Sequence, residues 1–128
     1  MKTLHVIAGA CLWLAGSAAA PLFAAEDTPS TAEFVREAAI GDMFEIEASK
    51  LAEQKGGAIA RAFASQMIAD HTKTTEQLKS LIQSDNVGVT PPATLDEAHQ
   101  RMLDELEAKS GDDFVEAFVQ TVTRHFPN

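Results

Sequence analysis

Three histidines and one glutamate of this sequence have the residue types and the spacing that a metal site would need. His71, His99 and His125 fall in three different helical segments, each on a face where apolar residues recur every three or four positions. Imidazole binds zinc, copper, iron and nickel, so inward histidines from different helices could share one site. The alternative is that each histidine is a core residue with one ring nitrogen hydrogen-bonded to a neighbour.

Glu45 is the candidate fourth ligand. In the first helical segment it lies within a narrow face of small residues, Ala38, Gly41, Ala48 and Ala52, which would allow another helix to approach closely. A carboxylate buried there would need a charge partner or a metal ion, because isolation in a low dielectric raises its pKa. The alternative is that the side chain reaches outward to solvent. The predicted ligands of a transition metal ion are thus Glu45, His71, His99 and His125.

Other catalytic patterns are missing from the sequence. Di-iron carboxylate bundles need Glu-x-x-His motifs, but Ile68 stands three residues before His71, and Val122 stands three before His125. The sequence has no Gly-rich phosphate loop, G-x-S-x-G turn or H-E-x-x-H motif, and its one cysteine is Cys11. We therefore expect that the protein is not an enzyme.

Two long helices are predicted first. The run Ser30-Thr31-Ala32-Glu33 reads as a capping box that begins a helix from about Thr31 to Lys55, and Gly56-Gly57 ends it. A second helix is predicted from about Ala58 to Ser84. Its apolar residues recur at helical spacing and are expected to point inward, in line with His71: Ile59, Phe63, Met67, Leu78, Leu81 and Ile82.

Two shorter helices should follow the loop Asp85 to Pro92, whose prolines and glycine cannot continue a helix. A capping box at Thr94 to Glu97 predicts a third helix that stops at Ser110-Gly111, and Asp112 is the predicted cap of a fourth, from Phe114 to about Phe126. No segment alternates apolar and polar residues for long enough to form a half-buried strand. The predicted fold is all-α, an antiparallel four-helix bundle.

Residues 1–25 resemble a secretory signal peptide, with Lys2, an apolar stretch from Leu4 to Leu14 and then small residues. The apolar stretch is too short for a membrane span of about 20 residues. We expect residues 26–128 to form a single domain in the periplasm or otherwise outside the inner membrane. The formal net charge of −9 would repel nucleic acid and anionic membranes, so neither is an expected partner.

Several stretches resemble a known family of bacterial exported proteins, domain of unknown function 4142. The most specific is Phe63 to Thr72, which ends in Met-x-x-Asp-His-Thr, and the other stretches that agree are Phe34 to Ala39, Glu45 to Ala52 and Leu95 to Gln100. The resemblance implies a ferritin-like helical bundle of the cell envelope and brings no known activity. Members are often labelled outer membrane proteins, although this chain has no predicted barrel strands.

Members of that family are expected to continue their last helix well past the histidine that corresponds to His125, whereas this sequence stops with Phe126-Pro127-Asn128. A shortened last helix would leave apolar surface uncovered, so the sequence predicts a homodimer, a partner protein of the envelope or a marginally stable remnant. The leading functional hypothesis is a non-enzymatic, acidic envelope protein that acts by binding or assembly. The alternative is metal binding, and a third is pH sensing by clustered buried histidines.

Overall fold

The computed structural model describes residues 29–125. Its regular structure consists of four α-helices: α1 at Thr31–Lys55, α2 at Ala58–Ser84, α3 at Glu97–Glu107 and α4 at Gly111–His125. This part of the chain contains no β-strand, which confirms the all-α prediction. The predicted signal peptide, residues 1–25, lies outside the described residues. No described helix is both long and apolar enough to cross a membrane.

The start of α1 is the predicted capping box. The Ser30 hydroxyl accepts a hydrogen bond from the Glu33 backbone N–H at 3.3 Å, and a Glu33 carboxylate oxygen accepts one from the Ser30 N–H at 2.8 Å. The hydrogen bonds from the Ser30 side chain and backbone lower the pKa of Glu33. These reciprocal bonds satisfy backbone donors that a helix N-terminus otherwise leaves unpaired. Both long helices have the bounds that the sequence predicts.

The turn between α1 and α2 is tight because Gly56 lies against both helices. A Cβ atom added at Gly56 would lie 2.6 Å from the Ala52 carbonyl oxygen and 2.8 Å from the Ala60 Cβ, whereas one added at Gly57 would meet no atom within 4 Å. Since φ at Gly56 is −77°, the backbone conformation is open to any residue. Gly56 is therefore required by close packing, and Gly57 is not.

The variant Gly56→Ala should accordingly destabilise the protein by about 1–3 kcal/mol, because the added methyl group overpacks the junction of α1 and α2. Urea unfolding followed by circular dichroism measures the change. Gly57→Ala is the matched control, and its effect should stay within about 0.5 kcal/mol. Equal losses in the two variants would contradict this explanation of the turn.

The starts of α3 and α4 differ from the sequence prediction. Thr94 was the predicted cap of α3, but the cap is Asp96, whose carboxylate accepts a hydrogen bond from the His99 backbone N–H at 2.8 Å. Asp96 is well suited to this position because its negative charge also faces the positive end of the helix dipole. Asp112, the predicted cap of α4, instead lies in its first turn, because the hydrogen-bonded helix begins where the Phe114 N–H donates to the Ser110 carbonyl.

Helix α1 lies at the centre of the fold, because α2, α3 and α4 all pack against it. The main apolar cluster joins small residues of α1 and α2 to large residues of α3 and α4. Its buried members are Ala48, Ala52, Ala64, Leu106, Phe114, Phe118 and Val122. Small residues on the long helices thus leave room for the phenylalanines of α4.

Only part of the apolar stripe of α2 faces inward, so the prediction that its apolar residues all point inward is wrong. Ile59 is 88% exposed and Phe63 is 44% exposed, whereas Ala60 and Ala64 are buried. The reason is the close approach of α2 to α1, which only small side chains permit at the contact. Phe63 is instead partly exposed, and its ring meets that of Phe118 edge to face at a centroid distance of 6.1 Å.

Contacts along α1 show how the other helices are placed. Ser65 of α2 donates to Glu53 at 2.6 Å, and His71 meets Asp42 at 2.7 Å, so α2 returns along α1 from the Gly-Gly turn. The His99 ring near the start of α3 lies 5.4 Å from that of Phe44. Helix α3 therefore begins beside the middle of α1.

Candidate functional site

A cavity of about 600 Å³ lies where the first half of α1 faces the second half of α2, with the beginning of α3 at one end. Phe34 and Ala38 of α1 and Leu78 and Leu81 of α2 form an apolar wall. Phe34 and Leu81 are both exposed, so this wall reaches the protein surface. The polar lining includes Asp42, Glu45, His71 and His99. Three of the four predicted ligands therefore line one cavity.

Glu45 is the most unusual residue of this lining. Its side chain is 1% exposed, and neither carboxyl oxygen has a hydrogen-bond partner. Burial raises the pKa of Glu45 to about 7, and the negative charge of Asp42, one helical turn earlier, raises it further in the same direction. Of the two placements that the sequence leaves open for Glu45, the structure shows the inward one. At a pKa of about 7, the carboxyl group is divided between its neutral and charged forms at neutral pH.

Ser49 follows Glu45 by one helical turn and is also fully buried, and its hydroxyl oxygen has no hydrogen-bond partner. Since a buried unpaired hydroxyl costs about 1–3 kcal/mol, Ser49→Ala should raise the free energy of unfolding by about 1 kcal/mol or more. Urea unfolding at pH 7 tests this. Ser80→Ala, at an exposed position of α2, should change stability by only a few tenths of a kcal/mol. Loss of stability in Ser49→Ala would contradict the unpaired state of the hydroxyl.

His71 is held by Asp42 across the interface of α1 and α2. The His71 Nδ1 lies 2.7 Å from Asp42 Oδ1, and both side chains are 12% exposed. The hydroxyls of Thr74 and Thr75 lie 2.9 and 3.0 Å from the Asp42 oxygens. Because a carboxylate only accepts hydrogen bonds, the Nδ1 of His71 must carry the proton. Asp42 therefore fixes the orientation and tautomer of the imidazole.

His99 is held in the same way, but within its own helix. Its Nδ1 lies 2.7 Å from Asp96 Oδ1, the oxygen that also caps α3, and the His99 side chain is 16% exposed. The bonds from the His99 backbone N–H and ring hold the pKa of Asp96 below its usual value. The His99 ring also meets Phe44 edge to face. The His99 side chain is thus held in place where the start of α3 borders the cavity.

The predicted metal ligands are only partly brought together. Glu45, His71 and His99 line one cavity, while the side chain of His125 lies outside the described residues. Among the side chains that the structure describes, no group of three or more His, Cys, Asp or Glu residues is placed so that it could hold a metal ion. The transition-metal site therefore stays a prediction.

Sequence reasoning missed the two aspartates. The spacing from Asp96 to His99 is the ordinary one between a helix cap and the third residue of the helix, so this pair could have been found once the cap was placed correctly. The pairing of Asp42 with His71 spans 29 residues and depends on the register of α2 on α1. No local pattern in the sequence contains that register.

The lining of the cavity combines an apolar wall with polar groups that are held in place. The Thr74 and Thr75 hydroxyls lie beside the carboxylate of Asp42, which also holds the ring of His71. An apolar wall with a few oriented polar groups is typical of a small-molecule binding site.

Comparison with known proteins places the chain in a family. No curated protein and no solved structure matches it. One family model does match, described as Domain of unknown function (DUF4142), and it covers residues 16–125, which is most of the chain. The resemblance expected from the Met-x-x-Asp-His-Thr segment is therefore confirmed, and the protein belongs to the DUF4142 family.

Proposed function

We propose that this protein is an exported, non-enzymatic helical-bundle protein of the bacterial envelope, and that it acts by binding a small molecule in the cavity between α1 and α2. The observation that carries the proposal is Glu45, whose buried carboxyl oxygens have no partner in the lining of that cavity. An unpaired buried carboxyl group costs free energy of folding. Such a cost is typical of functional sites, where a ligand supplies the missing partner.

The size and lining of the cavity support this proposal. A volume of about 600 Å³ lies within the usual range of about 300–1,000 Å³ for small-molecule sites. Its polar groups are few and held in place, because Asp42 orients His71 and Asp96 orients His99. A lining of this kind gives affinity through the apolar wall and specificity through the oriented polar groups.

Export to the envelope rests on the first residues of the chain. Lys2, the apolar stretch from Leu4 to Leu14 and the small residues after it have the order of a secretory signal. Fusion of residues 1–30 to a reporter enzyme that is active only in the periplasm tests this part of the proposal. Activity of the fusion is expected, and a cytoplasmic fusion product that keeps residues 1–25 would contradict it.

The finer fold assignment is part of the same proposal, namely a ferritin-like, antiparallel four-helix bundle. The contacts of Ser65 with Glu53 and of His71 with Asp42 support a reversal of direction between α1 and α2. Near the end of α1, Lys55 donates to the Glu107 carbonyl at the end of α3, and its ammonium group lies 5.7 Å from the Phe114 ring at the start of α4. These contacts support alternating directions for successive helices.

The cavity is tested as a binding site by filling it. A Cβ added at Gly41 meets no atom within 4 Å, so Gly41→Leu extends a side chain into the cavity without a clash at its base. A fragment library is screened by amide chemical shifts on the wild type, on Gly41→Leu and on Ala62→Leu, an exposed position of α2. Ligands that shift Leu78 and His99 in the wild type and in Ala62→Leu, but not in Gly41→Leu, are expected. Ligands that bind only elsewhere would contradict the proposal.

Metal binding is the second candidate, because the Nδ1 atoms of His71 and His99 are each held by an aspartate. Metal-binding histidines are commonly oriented in this way by a carboxylate. Elemental analysis of protein exported in its native compartment, beside a variant with His71, His99 and His125 replaced by alanine, tests this candidate. Stoichiometric metal that the variant loses would establish it. Protein that contains no metal and takes up none would rule it out.

A homodimer is the proposed assembly, because α2 presents large apolar side chains to solvent at Ile59 and Phe63. Apolar surface of this kind is often covered by a partner. Light scattering after size exclusion should give the mass of two chains, and Ile59→Lys should give the mass of one. Gln77→Lys adds the same charge to α2 away from Ile59 and should remain dimeric. A wild-type protein that is monomeric at high concentration would contradict the proposal.

A further inference from the structure

The charged groups around the cavity are mostly acidic. Three carboxyl groups line it, from Glu37, Asp42 and Glu45, and the lining residues in the described part of the chain include no lysine and no arginine. Glu37 is exposed and paired with Arg36, and Asp42 is bonded to His71. Glu45 alone among the three has no bonded partner, although it is almost fully buried. The cavity therefore has one carboxyl group that a bound cation could neutralise.

The apolar wall lies at a distance from Glu45 along α1. Phe34 precedes Glu45 by eleven residues and Ala38 precedes it by seven, which places them about 16 and 10 Å away along the helix axis at 1.5 Å per residue. Leu78 and Leu81 face this end from α2. A molecule that fills the cavity would therefore have one end near the carboxyl groups and the other among apolar side chains.

We propose that the cavity binds a small organic ammonium ion with an apolar substituent, its charge beside Glu45 and Asp42 and its apolar part against Phe34, Leu78 and Leu81. This inference rests on the proposed function and names the class of ligand. An organic cation offers charge at one end and apolar surface at the other, as the lining does. An ammonium group also needs only hydrogen-bond acceptors, which the two carboxyl groups supply.

Other ligand classes fit the lining less well. An anion would face carboxyl groups without a lysine or arginine to pair with, which is unfavourable in a partly buried site. A metal ion needs several ligands at short distance, and the described side chains contain no such group of three. A neutral apolar molecule would leave Glu45 without a partner. The unpaired carboxyl group therefore favours the cation.

Three probes with the same alkyl chain isolate the contribution of charge. Hexylammonium, hexanol and hexanoate are titrated into the wild-type protein at pH 8 by isothermal titration calorimetry. We expect hexylammonium to bind at least about tenfold more tightly than hexanol, and hexanoate to bind least. Equal affinity for hexanol and hexylammonium would overturn the inference and leave small-molecule binding intact. Failure of all three probes to bind would overturn the inference, and the fragment screen on the wild type and Gly41→Leu would then decide the proposed function separately.

Two matched variants assign the effect to Glu45. Glu45→Gln keeps the shape and removes the charge, so hexylammonium affinity should fall at least about tenfold while hexanol affinity is unchanged. Glu105→Gln removes the same charge from an exposed position of α3 and should leave both affinities as they are. Equal losses in the two variants would show that net charge, and not the cavity, attracts the cation, and would overturn the inference.

Discussion

Glu45→Gln is expected to remove most of the pH dependence of stability that the wild type shows between about pH 4.5 and 7. In the folded protein the pKa of Glu45 is raised from 4.5 to about 7, chiefly by burial and then by the charge of Asp42. Between those two values the folded state holds a proton that the unfolded state has lost, so stability falls as pH rises. A shift of this size corresponds to about 3 kcal/mol, at 1.36 kcal/mol for each pH unit.

The measurement is urea unfolding of the wild type and the variant at several values between pH 4 and 8. The other titratable groups that line the cavity are Glu37, Asp42, His71 and His99. They remain in both proteins, so the difference between the curves isolates Glu45. Glu47→Gln, at a half-exposed position two residues along α1, should keep the wild-type slope. A variant that loses stability with pH as steeply as the wild type would show that Glu45 is not the cause.

The same curves test the hypothesis of pH sensing. The hypothesis predicts that the bundle loosens below about pH 6. A fall in the stability of Glu45→Gln below that pH would support it, and stability that stays unchanged from neutral to mildly acidic buffer would rule it out.

Phe118→Ala is expected to cost about 3–5 kcal/mol, the usual range for removing a buried phenylalanine ring. The Phe118 ring is fully buried, lies parallel to the ring of Phe114 at a centroid distance of 6.1 Å, and meets the Phe63 ring of α2 edge to face. It therefore joins α4 to α2, and it belongs to the same apolar cluster as Ala48 and Ala52 of α1. Since small domains are stable by about 5–15 kcal/mol in total, the variant should lose a large share of its stability.

Phe34→Ala is the matched control, because it removes the same atoms at an exposed position of α1. Its effect on urea unfolding should stay below about 1 kcal/mol, although Phe34 belongs to the apolar wall of the cavity. Near-UV circular dichroism would show whether the remaining phenylalanines keep their packing in Phe118→Ala. Similar losses in the two variants would mean that α4 contributes little to the stability of the fold.

The long helices could be predicted from the sequence because their ends are set locally. Ser30 with Glu33, and Gly56 with Gly57, act within one or two turns of the chain. The start of α3 was placed wrongly because Thr94 and Asp96 are both good caps, and only the contact of Asp96 with His99 decides between them. Local patterns therefore find helices well and separate competing caps poorly.

Only part of the candidate site could be predicted, because the sequence of one helix does not show which of its faces a neighbouring helix covers. His71 lies on a face whose periodicity is visible in the sequence, so its inward placement could be inferred. For Glu45 the sequence left both an inward and an outward placement open. The stripe of Ile59 and Phe63 has the same periodicity but is exposed, because α1 admits only small side chains at that contact. Which stripe is buried depends on the residues of the other helix, and a single helix does not contain that information.

The central position of α1 also determines how the protein can open. Helices α3 and α4 make their main contacts with α1, and α2 does so as well. Detachment of α3 and α4 would leave α1 and α2 paired, but unfolding of α1 would remove the surface on which the other three helices of residues 29–125 rest. Partial unfolding should therefore proceed from the carboxyl-terminal helices, while α1 exchanges its amide protons only when the whole domain unfolds.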